Sequence, residues 1–237
     1  SIQNCSMKAN TENGVYLENS NPTFVNSTFS YNGGAGVFMT SPSSVPNFSS
    51  STTTISYNLY GLRYPSPNFT IYPPNGNPTL SNNTYNGIAI DGGDITGGNR
   101  RWNAIAYPYI ILGTVRIGEY GSYVRLTVEP GNKVKAVAGA QIQVGISSSY
   151  GGELYAIGTS DSLITFTSFN GLAGGWDGIY FTDWSDNWGG QSQLDYCVIE
   201  KGNLYNYQSV NTSQPNLINH SKIQNALQDG ACYSNAT

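Results

Sequence analysis

A short phrase recurs along the first part of this chain, a glycine followed by three mostly apolar residues. It reads Gly14-Val15-Tyr16-Leu17, Gly36-Val37-Phe38-Met39, Gly61-Leu62-Arg63-Tyr64 and Gly87-Ile88-Ala89-Ile90, at intervals of 22, 25 and 26 residues. Repeats of this length are typical of solenoids, in which each unit buries its apolar side chains against the next unit. The spacing therefore predicts a chain that stacks turn upon turn.

The segments between these glycines carry the pattern of short β-strands. Val, Ile, Thr, Phe and Tyr alternate with other residues, and Gly, Asn, Pro or Ser bound each run, which is the composition of strands and tight bends. At roughly 3.3 Å per residue, one repeat holds three short strands and three bends. We predict an all-β parallel β-helix with three short strands in each turn of the solenoid, which we call a rung.

We expect residues 1–237 to form a single solenoid domain. The segment near 64–76 holds Pro65, Pro67, Pro73 and Pro74, and prolines at that density are excluded from central strands, so the segment should be a loop excursion. The repeat pattern then changes near 91–108. Beyond that point Gly still follows nearly every strand-like run, which favours continuation of the solenoid.

Composition narrows the classes of partner. Only 10% of the residues are charged and the formal net charge is −4, so the chain lacks the basic stripe that binds nucleic acid or anionic membranes. No run approaches the roughly 20 apolar residues that span a bilayer. We expect no nucleic-acid partner and no membrane span. Because Ser1 does not open a signal peptide, we expect a mature or excised chain.

The second half of the sequence contains motifs that resemble a known family. They are Val128-Glu129-Pro130-Gly131-Asn132-Lys133-Val134, Gly152-Glu153-Leu154-Tyr155-Ala156-Ile157-Gly158-Thr159, Ile164-Thr165-Phe166-Thr167-Ser168, Gly175-Trp176-Asp177-Gly178-Ile179-Tyr180-Phe181 and Leu194-Asp195-Tyr196-Cys197-Val198-Ile199-Glu200. These motifs resemble right-handed parallel β-helix repeat proteins of microbial surfaces, and the Asn-Pro-Thr phrases at Asn21 and Asn77 extend the resemblance to most of the chain. The resemblance implies a right-handed, pectate-lyase-like solenoid and carries little about activity.

Enzymes of this fold need site residues in patterns that this sequence lacks. A calcium-dependent lyase requires clustered Asp ligands and a basic residue. The nearest approach, Asp91, Asp94, Arg100 and Arg101, lies in one Gly-rich segment. A hydrolase requires two carboxyl groups at a defined separation, and no Asp-Asp pair occurs. His220 is the only histidine, and the cysteines lack Cys-x-x-Cys spacing. We predict no catalytic residues, no metal site and no cofactor.

The densest cluster of aromatic and acidic residues lies in a Gly-flanked loop that follows Phe181. Its candidate carbohydrate-binding residues are Asp183, Trp184, Asp186 and Trp188. Flat aromatic rings can stack on sugars, and carboxylates can accept hydrogen bonds from hydroxyl groups. The alternative is a loop that folds its own aromatic rings onto the wall of the solenoid.

The cysteines and the glycosylation sequons give information on where the protein is located. The chain has three cysteines, Cys5, Cys197 and Cys232, so at least one is free or pairs between chains. Burial of free thiols in the core is the favoured alternative. Candidate glycosylation sites are Asn4, Asn26, Asn47, Asn68, Asn82, Asn211, Asn219 and Asn235. Chance alone gives about five sequons, so Asn and Ser or Thr at solenoid bends remain the favoured explanation. A surface rich in Tyr, Asn, Ser and Thr favours an extracellular or cell-surface location.

The two ends of the chain predict assembly. Ser1-Ile2-Gln3-Asn4 echoes Lys222-Ile223-Gln224-Asn225, and neither end shows the polar cap that covers the terminal rungs of soluble solenoids. We expect either head-to-tail stacking of copies or a fragment of a longer solenoid. The residues expected at a stacking contact are Ile2, Cys5, Ile223 and Cys232.

The expected function is that of a non-catalytic extracellular structural module that forms a filament or surface assembly. Two alternatives stay open. One is a polysaccharide-active lyase or hydrolase of the same fold. The other is a glycan-binding adhesin that uses the Trp and Asp loop and has carbohydrate as its partner.

Overall fold

The computed structural model describes residues 1–48, 52–71, 76–185, 187–207 and 216–234, with the backbone alone described at 187, 206, 207 and 232–234. The described residues form two compact units. The first comprises Ser1–Pro65, Ile71–Ile90 and Ile105–Ile110, and the second comprises Ser66–Thr70, Asp91–Ala104 and Ile111–Thr237. Strands dominate both units. The helical structure among the described residues is one short 3₁₀ turn, Asn187–Gly189.

The first unit repeats a set of three strands. Its strands are β1 (Ile2–Gln3), β2 (Ser6–Lys8), β3 (Val15–Leu17), β4 (Thr23–Val25), β5 (Thr28–Ser30), β6 (Ala35–Met39), β7 (Asn47–Phe48), β8 (Thr54–Ser56), β9 (Tyr60–Tyr64), β10 (Thr79–Ser81) and β11 (Tyr85–Ile90). Equivalent strands pair in parallel, so that three sheets run β1-β4-β7, β2-β5-β8-β10 and β3-β6-β9-β11. This arrangement is a three-sided parallel β-solenoid.

The second unit follows the same plan with longer strands. In chain order, the remaining strands are β12 (Gly93–Ile95), β13 (Arg100–Trp102), β14 (Tyr109–Ile111), β15 (Val115–Ile117), β16 (Glu119–Tyr120), β17 (Tyr123–Val128), β18 (Lys133–Ala136), β19 (Gln141–Val144), β20 (Tyr150–Ile157), β21 (Ile164–Ser168), β22 (Gly178–Phe181), β23 (Gln193–Asp195), β24 (Cys197–Glu200), β25 (Asn203–Tyr207), β26 (Leu217–Asn219), β27 (Lys222–Gln224) and β28 (Ala231–Ser234). Three parallel sheets run β12-β15-β19-β22-β25-β28, β13-β17-β20-β23-β26 and β18-β21-β24-β27, and β16 adds an antiparallel pairing to β20. The predicted all-β solenoid is confirmed.

Inward side chains stack in columns because the parallel register places like positions beside one another. In the second unit one column consists of Ile95, Ile117, Val144 and Phe181, all fully buried. Burying each such side chain stabilises the fold by about 1.5–3 kcal/mol. Since every rung lends an apolar face to its neighbours, the core is continuous along each unit.

A ladder of asparagines, buried at all but its exposed first member, joins the rungs of the first unit. Asn10, Asn32, Asn58 and Asn83 occupy the same corner of successive rungs, and each Nδ2 donates to the Oδ1 of the next asparagine at 2.8–2.9 Å. Each Oδ1 of the last three also accepts the backbone N–H of the preceding ladder residue at 3.0–3.2 Å. Buried amides are stable only when their donors and acceptors are satisfied, so the ladder fixes this corner.

The residue before each ladder asparagine has a left-handed backbone. These residues are Ala9, Tyr31, Tyr57 and Asn82, with φ between 55° and 57°. Tyr31 and Tyr57 are exposed and stack face to face, with ring centroids 4.8 Å apart. Only Asn82 is a residue type that favours this region, so the hydrogen bonds of the ladder impose the conformation on the other three.

Three of the four residues expected at a stacking contact lie in outer strands of their sheets, and the fourth, Cys5, lies between β1 and β2. Ile2 is half-buried and pairs with Phe24, and Ile223 is half-buried and pairs with Ile199. Cys5 is half-buried, and the backbone of Cys232 lies in β28. Head-to-tail stacking and the single-domain organisation stay predictions.

The predicted loop excursion near 64–76 is described in part, because its Pro73 and Pro74 lie outside the described residues. Residues 66–70 group with the second unit, where the Asn68 carbonyl oxygen accepts a hydrogen bond from Arg100 Nε at 2.8 Å. Ile71 is fully buried in the first unit. In the part of the chain that the structure describes, no helix has the length and apolarity needed to cross a membrane.

Candidate functional site

The predicted Trp loop, residues 182–190, lies against the second unit at β17 and β20. Its 3₁₀ turn contacts both strands, while the Trp184 and Trp188 side chains remain 37% and 56% exposed. Trp188 has φ 65°, which is uncommon for a bulky residue. Asp183 is half-buried, and its Oδ1 is a buried atom without a hydrogen-bond partner among the described residues. Asp186 lies outside the described residues.

The backbone of this loop is anchored although its tryptophans are exposed. Ser185 is fully buried and its N–H donates to the Thr182 carbonyl oxygen at 3.0 Å. Gly145 lies beneath it, where a Cβ would come within 2.7 Å of the Ser185 nitrogen. At the far end, Gln191 N–H donates to Glu153 Oε1 at 2.7 Å. Both Trp rings are thus partly exposed, and their role as a ligand site stays a prediction.

A buried ion pair supports the strands under the loop. Arg125 and Glu153 are register partners, with Nε and Oε2 2.5 Å apart. The hydrogen bond that Arg125 donates to Glu153 is the largest cause of the raised Arg125 pKa. The guanidinium also lies 4.7 Å from the centre of the Tyr155 ring. Because the Glu153 side chain is only 3% exposed, this pair holds neighbouring strands together.

Three other charged pairs of the second unit also join neighbouring rungs. Asp94 pairs with its register partner Arg116 at 2.5 Å, and His220 Nδ1 lies 2.9 Å from Asp195 Oδ1. Arg101 pairs with Glu129. Among the described residues, no group of three His, Cys, Asp or Glu side chains converges on a possible metal position.

Six of the eight sequon asparagines lie in the described part of the chain. Asn4, Asn26, Asn82 and Asn219 are exposed, and Asn47 and Asn68 are half-buried. Asn211 and Asn235 fall outside the described residues. The Asn68 Oδ1 accepts the Thr96 N–H at 3.1 Å, so a glycan at that nitrogen would compete with a structural contact.

Sequence analysis did not identify a groove of about 400 Å³ on the outward face of β22 and β25. Gly178 lies on β22 beside the groove with φ 103°, and a Cβ there would come within 1.9 Å of the Asn203 carbonyl oxygen. Gln141 and Asn203 are its register partners on the two neighbouring strands. The backbone therefore leaves no room for a side chain between these two amides.

Two tyrosines line the same groove. Tyr180 and Tyr205 are register partners whose ring centroids are 5.7 Å apart, with the planes at 52°. Asn203 Nδ2 donates to the Tyr205 hydroxyl oxygen at 2.7 Å, which orients that ring. Asp177 and Leu227 also line the groove, and both side chains are exposed.

The sequence does contain a signal for this groove. Gly178-Ile179-Tyr180-Phe181 and Asn203-Leu204-Tyr205-Asn206 place an outward tyrosine at the same position of consecutive rungs. The pairing of these two depends on the length of the segment between them, which no local pattern predicts.

Comparisons of the chain with protein-family models, curated proteins and solved structures give no significant match. The function of the chain therefore has to be inferred from its own geometry.

Proposed function

We propose that the chain is a non-catalytic extracellular surface module, a right-handed β-solenoid of the pectate-lyase-like superfamily of microbial cell-surface type. The observation that carries the proposal is that outward-facing charged side chains pair between neighbouring rungs. Asp94, Glu153 and Asp195 each contact a cationic or titratable side chain of the neighbouring rung. Carboxylates held in this way stabilise the scaffold and are not arranged as an acid and base around one cleft.

An activity assay separates this proposal from the enzyme alternative. The chain is incubated with polygalacturonate and with neutral polysaccharides, with and without Ca²⁺, beside an active pectate lyase as positive control. We expect no ultraviolet absorbance from unsaturated product and no new reducing ends. A calcium-dependent rise that Arg100→Ala or Asp94→Asn abolishes would overturn the non-catalytic proposal.

The extracellular location is part of the same proposal. It is supported by the low content of charged residues, 10%, on a chain with exposed sequon asparagines such as Asn4, Asn26 and Asn82. Fractionation of the source cells, with an antibody against the chain, should recover it outside the cytoplasm. Recovery in the cytoplasmic fraction alone would contradict this part of the proposal.

A glycan-binding adhesin is the second candidate, and the exposure of Trp184 and Trp188 favours it. A ring that is exposed on a left-handed residue, as at Trp188, is an observation from which a functional hypothesis can start. A glycan array with Trp184→Ala and Trp188→Ala tests it, and Tyr120→Ala, which removes another exposed ring, is the matched control. Unchanged glycan binding in both Trp variants would exclude the Trp loop as the binding site.

A further inference from the structure

The groove beside Gly178 carries polar groups that suit hydroxyl ligands. Gln141, Asp177 and Gln228 line it, and within the described part of the chain none of their side chains has a hydrogen-bond or ion-pair partner. Amides both donate and accept hydrogen bonds, and a carboxylate accepts them. A sugar offers hydroxyl groups that both donate and accept, so this set of groups can bind several of them at once.

The same groove offers apolar contact to the carbon skeleton of a sugar ring. Tyr180 and Tyr205 are half-buried along it, and Leu227 is 70% exposed at its edge. Aromatic rings with a polar end suit ligands that are apolar on one face and wet on the other. The volume of about 400 Å³ falls in the usual range for small-molecule sites.

The charge of the groove selects among sugars. None of its nine lining residues is Lys or Arg, and Asp177 is its one ionisable carboxyl group. Like charges in a partly exposed site repel each other, so the carboxylate groups of a uronate polymer are disfavoured here. An uncharged sugar meets no such penalty.

We infer that this groove binds a neutral oligosaccharide. A pyranose ring lies against Tyr180 and Tyr205, and its hydroxyl groups bond to Asp177 and Gln141. The site shares no residue with the Trp loop. The inference goes beyond the proposed scaffold role, because neither the absence of catalysis nor assembly of copies is needed for it.

Isothermal titration calorimetry on the whole chain tests the ligand class. The probes are gluco-, manno- and xylo-oligosaccharides and an oligogalacturonate, all of equal length. We expect at least one neutral probe to bind with a Kd of about 1 mM or lower, and the oligogalacturonate to bind about tenfold more weakly. If no neutral probe binds at about 10 mM, or if the oligogalacturonate binds most tightly, the inference is overturned.

Variants then locate the site. Tyr180→Ala and Tyr205→Ala should each weaken binding of the neutral probe about tenfold, through loss of the ring contact. Asp177→Asn should weaken it about threefold, because a charged acceptor is lost, and should strengthen binding of the oligogalacturonate. Tyr120→Ala and Trp188→Ala are controls that should leave Kd unchanged.

One further variant distinguishes loss of binding from loss of fold. Tyr205→Phe keeps the ring and removes only the hydroxyl that Asn203 contacts, so binding should stay within about threefold. Circular dichroism and melting curves are recorded for every variant. Binding that survives both Tyr→Ala changes in folded protein, or that disappears in Trp188→Ala, would place the ligand elsewhere and refute the assignment.

Discussion

At the scale of single residues, Asn58 shows how one side chain joins three rungs. Its Nδ2 donates to the Phe29 carbonyl oxygen at 3.0 Å and to Asn83 Oδ1 at 2.9 Å. Its Oδ1 accepts from both the backbone N–H and the Nδ2 of Asn32. All four hydrogen-bonding positions of the amide are therefore used.

Replacing Asn58 by Leu should lower the free energy of unfolding by about 2–4 kcal/mol, because buried donors and acceptors of Asn32 and Phe29 lose their partner. Denaturant unfolding measures the change. Asn77→Leu is the matched control, since Asn77 is exposed and its side chain makes no hydrogen bond to the described residues, and its effect should stay within about 0.5 kcal/mol. Equal effects of the two changes would show that the ladder adds nothing beyond ordinary packing.

Cys197 makes a second prediction at this scale. It is buried, its thiol donates to the Ala156 carbonyl oxygen at 3.3 Å, and burial raises its pKa to about 12. The thiolate is the reactive form, so Cys197 should be inert to thiol reagents at pH 8 in the native protein. In a Cys5→Ser, Cys232→Ser background, labelling should begin only when denaturant unfolds the chain. Labelling of the native protein at the rate of the denatured protein would contradict the burial of Cys197.

At the scale of elements, the Trp loop separates exposed rings from buried anchors. Replacing both Trp184 and Trp188 by Ala should shift Tm by no more than a few degrees, because surface changes cost little. Glu153→Ala, which removes the acceptor of Gln191 N–H, should destabilise by about 1–3 kcal/mol. Calorimetric melting of the three proteins makes the comparison. A collapse of the double Trp variant would mean that the rings pack on the wall after all.

The strands of the solenoid can be predicted from the sequence where the pattern is local. The Gly-apolar phrases coincide with β3, β6, β9 and β11. Apolar residues of each phrase fill the core, and a Cβ on its glycine would clash, as at Gly36, where it would come within 2.2 Å of Ile55 Cγ2. The left-handed backbone at Tyr31 and Tyr57 could not be predicted, since it is imposed by hydrogen bonds from another rung. The groove was missed for the same reason: Tyr180 and Tyr205 become neighbours only through the register of the stacked strands.

At the scale of the whole molecule, the proposed head-to-tail stacking makes a measurable prediction for the isolated chain. Within the described residues, β1 and β28 are the outer strands of their sheets, and unpaired strand edges are templates for pairing. Light scattering and negative-stain microscopy should show fibres whose length increases with protein concentration. Salt should have little effect, because backbone and apolar contacts are not screened as surface charges are.

Ile2→Lys is the variant that tests this stacking. A charged side chain on an edge strand opposes pairing, so the fibres should be lost. Leu59→Lys places the same charge on an exposed side chain next to β9, a strand that is paired on both sides, and should leave them intact. A monodisperse monomer at high concentration of the unaltered chain would refute self-assembly.

The asparagine ladder also has a consequence for how such a chain can change in length. Successive ladder residues are separated by 22, 26 and 25 positions, yet each follows the inward residue of its strand, Met7, Phe29, Ile55 or Leu80, by the same three positions. The differences in rung length therefore lie at other corners: seven residues separate β6 from β7, against five between β3 and β4. A foreign peptide grafted at the exposed Pro42, between β6 and β7, should be displayed without loss of fold, whereas one inserted beside Asn58 would break the ladder.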